Sequence, residues 1–110
     1  MAYQRSEKKS VEEPVVKYAQ RLGVLVLKVN PLWAAGWPDR VFFIPGGRPL
    51  FIEFKRPGGK TNKKQEEIIG KLRSSGYDVE VIDNVEEGKA AIRTRLEAHA
   101  VHEKGDPVDS

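Results

Sequence analysis

Two apolar runs, Asp39 to Ile44 and Leu50 to Lys55, flank the segment Pro45-Gly46-Gly47-Arg48-Pro49, and this arrangement constrains the fold more tightly than anything else in the chain. Turn formers between β-branched and aromatic runs predict a hairpin. Its second strand is apolar enough to be central. Leu50, Ile52 and Phe54 fall on one face of it, and Phe51, Glu53 and Lys55 on the other. A three-residue loop of Pro45-Gly46-Gly47 pairs Ile44 with Arg48 and sets Asp39 directly opposite Glu53. Opposed side chains in such a ladder have Cβ atoms roughly 4.5–5.5 Å apart.

The rest of the chain builds around that hairpin. Val11, Val15, Tyr18, Ala19 and Leu22 recur at helical spacing before Gly23, which predicts a helix over about 11–22. Ser10 and Glu13 have capping-box spacing, with Pro14 deep in the first turn for that register. Val24 to Val29 reads as a short strand, and Asn30 to Pro38 as a loop carrying both tryptophans. After a Gly-rich loop, Arg56 to Thr61, a second helix is expected from Asn62 to Ser75, closed by Gly76. Tyr77 to Asp83 alternates as a strand, and Val85 to about His99 has a weaker helical pattern. The order α-β-β-β-α-β-α defines an α/β fold with a mixed central sheet flanked by helices.

Residues 10–99 then form the domain, and the polar segments 1–9 and 100–110 are expected to be flexible termini. A chain of 110 residues supports one domain. With no cysteine it has no disulfide scaffold, thiol nucleophile or thiolate zinc site. No apolar run approaches the ~20 residues of a membrane span, and the N-terminus lacks a signal-peptide core, so a soluble intracellular, cytoplasmic protein is expected.

Chemistry enters through the opposed acids. Two carboxylates at that separation repel by about 3 kcal/mol at an effective dielectric of about 20. Lys55 offsets part of this, and a divalent cation between the acids offsets it fully. Oxygen ligands without His or Cys favour Mg²⁺ or Mn²⁺ over zinc. Such a site suits phosphodiester hydrolysis, with Lys55 placed to position the nucleophile or stabilise developing charge. The plain alternative is a surface ion pair of Glu53 with Lys55, Asp39 capping a turn. Gln65 bears on that choice, because it extends the stripe of Ile68, Ile69 and Leu72 and needs hydrogen-bond partners there. Glu12 precedes Val15, Val16 and Ala19 at the same spacings and borders the inward face, whereas Glu13 suits the helix cap.

Pro38-Asp39 followed by Glu53-Phe54-Lys55 is similar to the PD-(D/E)xK nucleases. The fuller pattern is Gly36-Trp37-Pro38-Asp39-Arg40, Phe51-Ile52-Glu53-Phe54-Lys55, Pro57-Gly58-Gly59-Lys60 and Gln65. It closely resembles the VRR-NUC family of virus-type replication-repair nucleases, over about Glu12 to Asp83. The resemblance implies a restriction-endonuclease-like core and a metal held by Asp39, Glu53 and the Phe54 backbone carbonyl. It makes Lys55 the catalytic lysine and Gln65 the second-helix glutamine. Glu12 becomes the first-helix acid near a second metal or its waters, with Glu13 as fallback. It further implies Mg²⁺ or Mn²⁺, branched DNA such as Holliday junctions or flaps, 5′-phosphate and 3′-hydroxyl products, a homodimer, and a phage-encoded origin. A non-catalytic DNA-docking module on the same fold is the alternative, although binding alone does not need the full Asp39/Glu53/Lys55/Gln65 set.

Charge supports a polyanionic partner. Residues 1–75 carry 15 Lys/Arg against 7 Asp/Glu, and residues 76–110 carry 4 against 9. Arg40, Arg56, Lys60, Lys63 and Lys64 are the expected DNA contacts, with Lys71 and Arg73 nearby. Gly58-Gly59-Lys60-Thr61 is not a P-loop, because the position that needs its first glycine is Phe54. Trp33 and Trp37 are expected to pack over the sheet edge or a dimer contact, in preference to stacking on unpaired bases. His99 and His102, in an acidic segment, are expected to be inert.

Overall fold

A computed structural model of the chain describes residues 2–104. The elements are α1 (Ala2–Arg21), β1 (Leu25–Lys28), β2 (Arg40–Phe43), β3 (Pro49–Phe54), α2 (Lys63–Ser74), β4 (Asp78–Ile82) and α3 (Val85–Lys104), in the order expected. The four strands form one sheet in the order β1-β2-β3-β4. The first three run antiparallel, and β4 joins β3 in parallel after the crossover through α2.

The hairpin register is the one its turn dictates. Arg40 pairs with Ile52, Val41 with Phe51 and Phe42 with Leu50. The Gly47 N–H donates to the Ile44 carbonyl at 2.9 Å, and Gly46 turns the chain at φ +75°. One further step along this register brings Asp39 opposite Glu53.

Strand alternation divides the core into two layers. On one face Phe42, Leu50, Ile52, Phe54 and Ile82 are buried under Val11, Val15, Val16 and Ala19 of α1 and Ile92 of α3. On the other, Ile69 and Leu72 of α2 cover Val79 and Phe51. Since α2 reaches only the β3–β4 side, Leu25, Leu27 and Phe43 of the β1–β2 side stay exposed.

Two expected helix bounds are corrected. Helix α1 begins at Ala2 rather than near Val11, so residues 2–9 are helical. Ser10 therefore does not cap it; its hydroxyl donates to the Glu7 carbonyl at 2.6 Å inside the helix. Leu22 lies past the last helical residue and is exposed. Helix α3 continues to Lys104, beyond the expected end at His99, while 105–110 lie outside the described residues. No helix among the described residues is long and apolar enough to cross a membrane.

Candidate active site

The site opens where the β2–β3 ladder stops. Pro38 has no N–H to donate to the Phe54 carbonyl opposite it, so the ladder loses a hydrogen bond at that point. The Asp39 carboxylate fills the gap, its Oδ2 accepting the Phe54 N–H at 2.8 Å. Asp39 is thus fixed against the strand that carries Glu53 and Lys55. Gly36 sets the approach of this segment. Its φ is +85°, and a Cβ there would lie 2.6 Å from Cγ of Lys64, so only glycine lets the loop lie against α2.

Glu53 is 1% exposed and points toward α2. Lys55, two residues on along the same face, brings Nζ to 3.2 Å from Glu53 Oε2. Gln65 ties the two together. Its Oε1 accepts from Lys55 Nζ at 2.7 Å, and its Nε2 donates to Glu53 Oε2 at 3.1 Å. The same Oε1 accepts the Asn62 N–H at 3.0 Å, while Asn62 Oδ1 accepts the Gln65 N–H at 2.8 Å. Gln65 is therefore the third helical residue of a capping box, and the start of α2 and the Glu53–Lys55 pair share one side chain. The sequence pattern placed Gln65 at the site; its capping role is additional.

Burial, and then the charge of Asp39, raise the Glu53 carboxyl from 4.5 to about 7, with Lys8 and Lys55 opposing. Lys8, in the segment expected to be loose, places Nζ 3.0 Å from Asp39 Oδ1. Burial lowers its pKa, but Asp39, Glu53 and Glu12 together outweigh burial, so the net shift is upward. The signal for Lys8 was present, since it lies one turn before Glu12 on the same helix face. It becomes legible only if the helix is extended past Ser10.

Of the two candidate acids in α1, Glu12 is the buried one and Glu13 is exposed. Glu12 Oε2 accepts from Arg40 Nε at 2.7 Å. Arg40 thus turns toward Glu12, and among the described residues no three Asp, Glu, His or Cys side chains gather as a metal cluster. Glu12 lines the same pocket as Asp39 and Glu53, but its carboxylate is engaged by Arg40.

The oxygen donors at this end of the hairpin are the Asp39 and Glu53 carboxylates and the Phe54 carbonyl, which Pro38 leaves without an N–H partner. Hard oxygens in that number fit Mg²⁺ or Mn²⁺, ions that keep several waters and take one or two carboxylates from a protein. The pocket has a volume of about 410 Å³, with Lys9, Lys28 and Trp37 also on its wall.

Arg56, Lys60, Lys63 and Lys64 are exposed on the loop after Lys55 and the first turn of α2. That loop is tied down by Asp83, whose Oδ2 accepts the Gly58 N–H at 3.1 Å, a contact absent from the sequence reading. Arg73 is removed from the basic cluster, since it donates to the Val79 carbonyl at 2.7 Å. Trp37 packs against Phe51 at 6.4 Å between ring centroids, whereas Trp33 is 85% exposed and packs over no sheet edge. His99 lies against the hairpin turn at Gly47, and the His102 side chain is outside the described residues.

The arrangement is a mixed sheet with an acid pair and a lysine at the broken end of its hairpin. The VRR-NUC domain family matches residues 4–86. A protein of Acyrthosiphon pisum secondary endosymbiont phage 1, named "Putative nuclease p44", is 31% identical over 75 residues, covering 68% of this chain and 81% of the phage protein. A solved VRR_NUC domain shares the fold with a TM-score of 0.72 at 24% identity, covering 79% of this chain and 95% of that one. The chain belongs to the VRR-NUC domain family.

Proposed function

We propose that this protein is a Mg²⁺- or Mn²⁺-dependent endonuclease that hydrolyses phosphodiester bonds in branched DNA. The observation that carries the reading is the closed network of Glu53, Lys55 and Gln65 beside an Asp39 fixed to the Phe54 N–H, which an inert sheet face or a docking module does not require. Asp39, Glu53 and the Phe54 carbonyl would hold the metal, with Glu12 at the pocket wall held by Arg40. When bound, the metal supplies Lewis-acid polarisation of the phosphoryl oxygen and a water of lowered pKa. Lys55 supplies an ammonium that orients the nucleophile or stabilises negative charge as it develops on phosphate. Gln65 holds Lys55 and Glu53 in one geometry, so neither has to reorganise during the reaction. Hydrolysis of this type leaves a 5′-phosphate and a 3′-hydroxyl.

Exposed Arg56, Lys60, Lys63 and Lys64 support DNA as the substrate. Lys63 and Lys64 stand in the first turn of α2, where the helix dipole disfavours cations, and a phosphate backbone beside them relieves that conflict. A two-fold branched substrate suits a two-fold enzyme, and the homodimer belongs to this proposal. The apolar β1–β2 side of the sheet supports it, with Leu25 74% exposed on an edge strand.

The test is to present wild type, with Mn²⁺, with a four-way junction, a flap and a linear duplex of matched sequence. Faster cleavage of a branched species is the expected result. Equal cleavage of all three refutes the branched preference, and binding of junctions without cleavage of any makes the protein a docking module.

A further inference from the structure

Each of the three acids at the pocket is paired with one base. Glu12 takes Arg40 at 2.7 Å, Glu53 takes Lys55 at 3.2 Å, and Asp39 takes Lys8 at 3.0 Å. The pairing leaves none of the excess negative charge that a divalent cation needs. One base must therefore withdraw for a cation to enter, and the three differ in their freedom to do so. Lys55 is held by Gln65 as well as Glu53, with its side chain 15% exposed. Arg40 sits in β2, its side chain 18% exposed against Glu12. Among the described residues Lys8 has a single ion-pair partner, and its side chain is 35% exposed beside Lys9 and Lys28.

We infer that Lys8 is an exchangeable counter-ion. It neutralises Asp39 while the site is free of metal, yields that carboxylate to the divalent cation, and then swings to the mouth, where with Lys9 and Lys28 it binds a DNA phosphate. The inference rests on the metal-dependent reading above and adds a linkage to it. The cation releases the ammonium that the phosphate takes, so each ligand raises the affinity for the other through Lys8. Lys8 acts as a positioning residue: it tunes occupancy of the site and performs no bond-making step.

Calorimetric titration of the protein with Mn²⁺ alone, at fixed pH and without DNA, tests the exchange. Lys8→Met is expected to bind Mn²⁺ about tenfold more tightly than wild type or better, because one unit charge close to the ion has been removed. Lys8→Arg keeps the charge and is expected to stay within about twofold of wild type. Lys17→Met, at an exposed position further along α1, is expected to change nothing. Lys8→Gln repeats the measurement if the methionine variant fails to fold. The linkage is read by DNA anisotropy with otherwise unaltered protein on a junction whose linkages resist hydrolysis, where adding Mn²⁺ should tighten binding by wild type more than by Lys8→Met. Unchanged or weaker Mn²⁺ binding by both neutral Lys8 variants overturns the inference while leaving the metal reading intact. Absence of Mn²⁺ binding by wild type and every variant overturns both.

Discussion

Glu53 is buried beside a second acid, and this sets a pH dependence that belongs to one residue. Its carboxyl holds a proton up to about 7 in the folded protein, whereas in the unfolded chain it titrates near its ordinary 4.5. Between those values the folded state binds more protons, so stability falls as pH rises through the window, by about 3 kcal/mol in total. Glu53→Gln has nothing to titrate there. Urea unfolding in EDTA should show its stability gaining on wild type between pH 4.5 and 7, then holding level. Parallel pH curves for the two proteins would mean that burial does not perturb Glu53. At this scale Asp39, Glu53 and Lys55 were legible because strand alternation and hairpin register are arithmetic. Lys8 and the inward turn of Arg40 were not. Both depend on α1 crossing the sheet end, a relation between elements that no local pattern states.

Helix α1 shows why element boundaries were harder to read than element types. Its first residues are polar and offer no apolar stripe, so the periodicity that marks a helix starts only at Val11. The helix nevertheless runs from Ala2 through Pro14, which withdraws a donor from the Ser10 carbonyl. An interior proline costs about 3 kcal/mol relative to alanine. Burial of Val11, Val15 and Val16 returns about 1.5 kcal/mol or more each, so packing outweighs the defect. Pro14→Ala should therefore stabilise the protein by about 1–3 kcal/mol, seen as a higher thermal midpoint. A lower midpoint would show that the proline is part of how α1 is fitted to the sheet. The hairpin, by contrast, was legible to the residue, because a short Gly-Gly turn allows one register and a slip by one would bury Glu53 and Phe51 on the wrong face.

At the scale of the whole molecule, α2 is too short to cover the sheet, and Leu25, Leu27 and Phe43 remain in solvent beside an unpaired edge strand. Light scattering should report twice the chain mass for wild type, and the single chain mass for Leu25→Glu with Leu27→Lys. A wild-type monomer at assay concentrations would remove the dimer from the account. That surface was hidden in the sequence, where Val24 to Val29 reads only as a short apolar strand; which half of a sheet a helix covers is set by the crossover. The catalytic claim spans every scale, from a register step to a charge-balanced pocket. It is tested most directly by following cleavage of end-labelled branched DNA by wild type and Lys55→Ala, in Mn²⁺ and in EDTA. The account predicts cutting by wild type in Mn²⁺, none in EDTA, and a rate for Lys55→Ala lower by about 10²-fold or more with its fold intact. Cleavage that survives EDTA, or a Lys55→Ala rate equal to wild type, would contradict it.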